Sequence, residues 1–82
     1  MKSQIFKSAI FNRFKIKFLY GLQEVELDPY FLSYDKNGQK VIYGKTNFSN
    51  EIKKYEFARI ANIKVLCRNR FSPILPIASR IN

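Results

Sequence analysis

Eighty-two residues carrying fifteen Lys and Arg against six Asp and Glu give a net charge of +9. A chain this short is a single domain with a modest core, and without histidine it can assemble neither a Cys-His pair nor a Ser-His-Asp triad. The lone Cys67 excludes an internal disulfide and leaves far too few soft ligands for zinc. No glycine-rich phosphate loop is present, so the chain reads as non-enzymatic, with no metal and no cofactor. The apolar fraction of 46% is that of an ordinary globular protein. The basic excess favours contact with nucleic acid, a nucleotide or an acidic protein, set against a surface whose charge only keeps the protein soluble. Charges interrupt every apolar run before it reaches membrane-spanning length. Lys7 falls where a signal peptide keeps its apolar core. A soluble, reducing, cytoplasmic protein without a membrane partner is expected.

In chain order, Ser3 is a candidate cap for a short helix over residues 3–12, with Ile5, Phe6, Ala9 and Ile10 as a stripe at helical spacing and Asn12 as its stop. Packing is the role expected of that stripe. Arg13 to Tyr20 alternates: Phe14, Ile16, Phe18 and Tyr20 face in, while Arg13, Lys15 and Lys17 face out. Gly21 ends that strand. Val25 and Leu27 continue a strand pattern, with Glu24, Glu26 and Asp28 opposite them and placed to pair with the lysines of the first strand. Pro29 marks a bend or an edge.

Residues 30–34 are extended again. Asn37-Gly38 then predicts a tight hairpin turn, with the return strand over 39–45. Residues 46–50 form a polar loop with one exposed aromatic, Phe48. In the stretch from Glu51 to Ile60, Lys53, Tyr55, Phe57 and Arg59 recur every second residue and so share one face of a strand. Tyr55 and Phe57 are read as core. Arg59 falls where this strand meets the next, which begins at Ile60 and runs through Leu66. Cys67 lies in an apolar strand pattern and is expected to be a buried, inert thiol. Arg68 and Arg70 close the strand in a basic cluster. Two prolines keep the apolar tail that follows from being helical.

One helix and five or six short strands predict a mainly β fold: a small five-stranded Sm-like or SH3-like barrel over residues 13–71, with a tail over 72–82 and meander connections.

Ile16-Lys17-Phe18-Leu19-Tyr20, then Leu27-Asp28-Pro29-Tyr30-Phe31-Leu32-Ser33-Tyr34, Asn37-Gly38, Lys53-Lys54-Tyr55-Glu56-Phe57-Ala58-Arg59-Ile60 and Phe71-Ser72-Pro73 follow one another in an order and spacing that resemble the WYL domain family. The resemblance covers roughly residues 5 to 73. It implies a bacterial Sm-like barrel of the sort found in transcription regulators and defence proteins, where the domain senses nucleic acid or a nucleotide-like ligand. Tyr20, Pro29, Lys53 and Arg59 match the pattern. The Trp-Tyr-Leu run that gives the family its name is replaced by Lys40, Val41 and Ile42, and Val25 stands where an arginine is common. Lys53 also replaces an arginine, and a lysine is a point charge without the planar fork. The winged helix-turn-helix of family regulators has no counterpart in the 82 residues, so a stand-alone barrel, or one whose DNA-reading part is another chain, is expected.

The leading functional expectation is a regulatory module that binds an anionic ligand, foremost single-stranded nucleic acid or an oligonucleotide. Basic residues would track phosphates and aromatic rings would stack on bases. Arg59, Lys53 and Lys45 are the candidates for phosphate, Lys40 occupies the substituted motif position, and Tyr20 is the candidate for stacking or hydrogen bonding. Any one of these lysines has a solvated face as its plain alternative, Tyr20 a place in the core, and Arg59 a role in tying down carbonyls. The alternative function is a protein–protein or self-assembly module without a small ligand, since small barrels have edges through which copies pair. A homo-oligomer or a partner regulatory protein is expected on either reading.

Overall fold

The computed structural model describes residues 2–47 and 49–70, the side chains of 68–70 excepted. The element order is α1 (Lys2–Asn12), β1 (Phe14–Tyr20), β2 (Gln23–Tyr34), β3 (Lys40–Thr46), β4 (Ile52–Glu56), a 3-10 turn η1 (Phe57–Arg59) and β5 (Ile60–Arg70). The strands form one antiparallel sheet in the order β4-β3-β2-β1-β5. β1 to β4 make a meander, and β5 returns to lie beside β1. The mainly β expectation holds, but the sheet is open: among the described residues β4 and β5 are its two edges and no ladder joins them. No helix of the described residues is long and apolar enough to cross a membrane.

The helix begins one residue earlier than expected, which puts Ser3 inside the first turn rather than at the cap. There its Oγ accepts from Lys40 Nζ at 3.3 Å. Phe6 and Ala9 of the stripe are buried, whereas Ile5 is exposed. Asn12 ends the helix as expected, with its amide donating to the Ser8 carbonyl at 2.9 Å. Arg13 is not a strand residue. Its φ of 60° makes it the left-handed link into β1, and its N–H closes on Ile10 O at 3.2 Å.

β1 follows its alternation, with Ile16 and Phe18 buried and Phe14 and Tyr20 packed on the core. The outward lysines do pair across to β2. Lys15 Nζ lies 2.7 Å from Asp28 Oδ1 and Lys17 Nζ 3.8 Å from Glu24 Oε2, while Glu26 instead accepts from Asn47 at 2.9 Å.

The two extended runs expected around Pro29 are one bent strand. β2 pairs with β1 through Leu27 and with β3 from Leu27 onward. Between Pro29↔Gly44 and Phe31↔Tyr43 the register slips by one, leaving Tyr30 as an extra residue. This is a bulge, the place in a sheet interior where a proline is tolerated. The bend brings Leu27, Asp28, Pro29 and Tyr30, four consecutive residues, into buried positions. Gly44 lies under it: a Cβ there would sit 2.4 Å from the Asp28 carbonyl oxygen. In the β2–β3 turn only Gly38 takes a positive φ, 80°, and Asp35 Oδ1 accepts from Asn37 N and Gln39 N, each at 2.9 Å.

β5 carries a second bulge. Its partners step from Lys64 to Ala61 while β1 steps from Lys17 to Leu19, and Asn62 takes the left-handed φ of 54°. Asparagine is among the residues that tolerate this conformation. The extra residue lets Ile60, Ile63 and Val65 all turn toward the core. Cys67 is exposed, contrary to the expected buried thiol. After Leu66↔Lys15 the next register partner is Arg70↔Phe14, so Cys67 sits in a stretch that leaves the ladder and its apolar face. Phe48 and the tail after Arg70 lie outside the described residues.

The core unites every element: Phe6 and Ala9 from α1, Ile16 and Phe18 from β1, Leu27, Ile42, Tyr55, Phe57 and Ile60. Phe6 meets Phe57 edge to face at 5.0 Å, which fixes η1 against the helix.

Candidate anion-binding site

Residues 57–59 do not continue the β4 strand. Glu56 is still extended, and the Ile60 N–H turns back to Phe57 O. The even phase of Tyr55, Phe57 and Arg59 therefore ends at Tyr55. Phe57 is buried because it is the anchor of η1, and Arg59 is carried to the surface at the junction of β4 and β5. The junction itself was legible in the sequence; the turn was not.

Tyr20 ends β1, with Ile60 and Gln23 as its register partners, just before a two-residue turn whose Gly21 has φ 66°. Its ring meets Tyr55 edge to face at 5.0 Å and Phe18 at 6.4 Å. Its hydroxyl accepts the Glu56 backbone N–H at 3.1 Å. These contacts hold the ring, and the Arg59 guanidinium carbon sits over it, 4.5 Å from the centroid. A cation at that distance is attracted by the ring quadrupole, worth about 0.5–1 kcal/mol at an exposed site. Among the described residues the ion pairs are Lys15–Asp28 and Lys17–Glu24; no carboxylate pairs with Arg59, and its guanidinium makes no hydrogen bond. Arg59 is thus an exposed cation held in place by a ring, with no acceptor for its donors among the described residues. Tyr55, packed against Tyr20, has its phenol raised above 10.0 by burial and then by that neighbouring tyrosine.

The other three expected residues do not converge on this corner. Lys53 shares the Tyr55 face of β4 and lines an open groove of about 440 Å³ with Lys17, Gln23, Thr46 and two acids, Glu24 and Glu26. Lys45 lies opposite Ile52 in the β3–β4 ladder, one position out of phase with Lys53, so it faces the other side of the sheet. Lys40 turns toward α1, where it shares a groove of about 380 Å³ with Ser3, Lys7, Leu32, Ser33 and Tyr34. Tyr20 and Arg59 are brought together; Lys53, Lys45 and Lys40 occupy three separate surroundings.

Comparison with protein-family models, with curated proteins and with solved structures finds no match to this chain. Among the described residues no group of His, Cys, Asp and Glu is arranged to hold a metal ion.

The sequence reading passed over a second aromatic contact. Phe31 and Tyr43 are register partners on β2 and β3, stacked at 4.7 Å with 12° between their planes. The Asn37-Gly38 turn was the available signal, since counting outward from it, Tyr34 against Lys40, brings Phe31 opposite Tyr43 before the bulge at Tyr30 is reached.

Proposed function

We propose that this chain is a non-enzymatic binding module for an anionic ligand, foremost single-stranded nucleic acid or an oligonucleotide. The observation that carries the reading is Arg59: an exposed guanidinium, fixed over Tyr20, with no acidic partner among the described residues. Such a fork is suited to the oxygens of a phosphate, and the net charge of +9 supplies long-range attraction. The resemblance to WYL domains supports a small barrel acting in a bacterial, cytoplasmic regulatory or defence setting. The η1 turn, which runs directly from one sheet edge to the other, is compatible with that architecture. The test is titration with a single-stranded oligonucleotide at several salt concentrations. Affinity falls steeply with salt if phosphates are bound, and an absence of binding at low salt overturns the reading.

A second reading, a self-assembly module, is favoured by the two sheet edges, β4 and β5, that no ladder covers among the described residues. Light scattering decides it: a monomer mass at high protein concentration removes it.

A further inference from the structure

Tyr20 is poorly placed to stack on a base. Its ring meets Phe18 and Tyr55 at near right angles, its hydroxyl accepts the Glu56 N–H, and Arg59 covers one of its faces. If single-stranded nucleic acid is the ligand, its bases need another aromatic surface.

The sheet has one, on the side opposite the Lys53–Tyr55 groove. Phe31 is 46% exposed and stacks on Tyr43. Lys54 is the register partner of Tyr43 on β4, and Lys45, two residues along β3, lies on the same side. Ile52, the partner of Lys45, is 42% exposed and adds apolar surface. The acids on this side of β2 are Glu24, 3.8 Å from Lys17, Glu26, which accepts from Asn47 at 2.9 Å, and Asp28, the register partner of Lys45, held by Lys15 at 2.7 Å; Glu56 lies at the far end of β4. The patch joins a stacked ring pair, half-exposed at Phe31, to two ammonium groups. This is the pairing that single-stranded nucleic acid uses, with rings taking bases whatever their identity and cations following the backbone.

We infer that the Phe31–Tyr43 pair, flanked by Lys45 and Lys54, is a base-stacking platform for single-stranded nucleic acid on the outer face of β2-β3-β4. The inference rests on the nucleic-acid reading above but uses a different surface from Arg59. It also gives Lys45 a place that the Tyr20–Arg59 corner does not.

The chain contains no tryptophan, so Phe31→Trp introduces a single indole reporter at the platform. Oligodeoxythymidylate of about ten nucleotides, within the range one small fold covers, should quench that indole on binding. Inorganic polyphosphate, which has charge but no bases, should not. Phe31→Ala should weaken oligonucleotide binding roughly tenfold or more while the melting temperature holds, because the ring is half exposed. Arg59→Ala should weaken binding but leave the quench at saturation intact. Binding that survives Phe31→Ala unchanged, with no quench of the indole, overturns the platform even if the Arg59 variant fails to bind. Equal quenching by polyphosphate also overturns it, since charge alone then accounts for the signal. So does loss of self-association in Phe31→Ala with unaltered oligonucleotide binding, which would make the patch a contact between copies of the chain.

Discussion

The Arg59 guanidinium lies 4.5 Å above the centre of the Tyr20 ring, and the same tyrosine accepts the backbone N–H of Glu56 at 3.1 Å. One side chain on β1 therefore ties down the end of β4 and supports the cation that ends η1. Structure and proposed binding are coupled through Tyr20, and the two roles separate by substitution.

Tyr20→Phe keeps the ring and removes the acceptor. The Glu56 N–H loses its partner in a part-buried place, at a cost of about 1–3 kcal/mol. The melting temperature should fall while oligonucleotide affinity, measured where the variant is folded, stays near that of the parent. Unchanged stability would show that the Glu56 contact contributes nothing.

Arg59→Glu should reduce affinity far more than Lys36→Glu, a change of equal charge in the exposed β2–β3 turn. Loss of a charge-assisted hydrogen bond corresponds to about 1.5–3 kcal/mol, roughly tenfold to a hundredfold. Affinity and melting temperature need to be read on one preparation. Equal losses from both variants, with stability intact, would mean that only diffuse charge binds.

The two cross-strand ion pairs should differ in worth. The Lys15 and Asp28 side chains are 19% and 12% exposed and 2.7 Å apart; those of Lys17 and Glu24 are 35% and 65% exposed and 3.8 Å apart. Lys15→Met strands a shielded carboxylate and should cost about 1–3 kcal/mol. Lys17→Met should cost less than about 0.5 kcal/mol. Chemical denaturation of both variants checks the order, and a reversed order contradicts the burial argument.

Gly44→Ala should destabilise the fold. The added methyl would sit 2.4 Å from the Asp28 carbonyl oxygen and 2.8 Å from Leu27 Cγ, where backbone must move. Overpacking of this kind costs about 1–3 kcal/mol. In a domain of this size each kcal/mol lowers Tm by roughly 4–8 °C. A variant that melts with the parent would show that the β2 bend is free to relax.

Alkaline stability should report Tyr55. Its folded phenol holds the proton above pH 10.0, beyond the value in the unfolded chain. The unfolded state therefore loses its proton first. The contribution is fully present below pH 10.0 and declines as pH rises from there toward the folded value. Tyr55→Phe should flatten that part of the decline relative to the parent in denaturation series on either side of pH 10.0. Identical slopes would mean that other groups govern the alkaline limit.

The sequence by itself determined the helix stripe at Phe6 and Ala9, the alternation of β1, the hairpin at Gly38, and the burial of Tyr55 and Phe57. Each is read from residues close together in the chain, at period 3.6 or 2 or from a glycine's freedom to take positive φ, although Phe57 owes its burial to η1 rather than to the strand period. It also placed Arg59 at a strand junction, because a change of pattern marks where one strand gives way to the next. Tertiary structure alone decided the rest. The bulges at Tyr30 and Asn62 each add one residue to a ladder, which resets every face beyond them and cannot be seen in one strand without its partner. The exposure of Cys67 and the opposite facing of Lys45 and Lys53 follow from register. So does the contact between Tyr20 and Arg59, which are 39 positions apart in sequence and meet because β5 pairs back onto β1. Local propensity carries no information about which strand lies beside which, and this candidate site is built from that pairing.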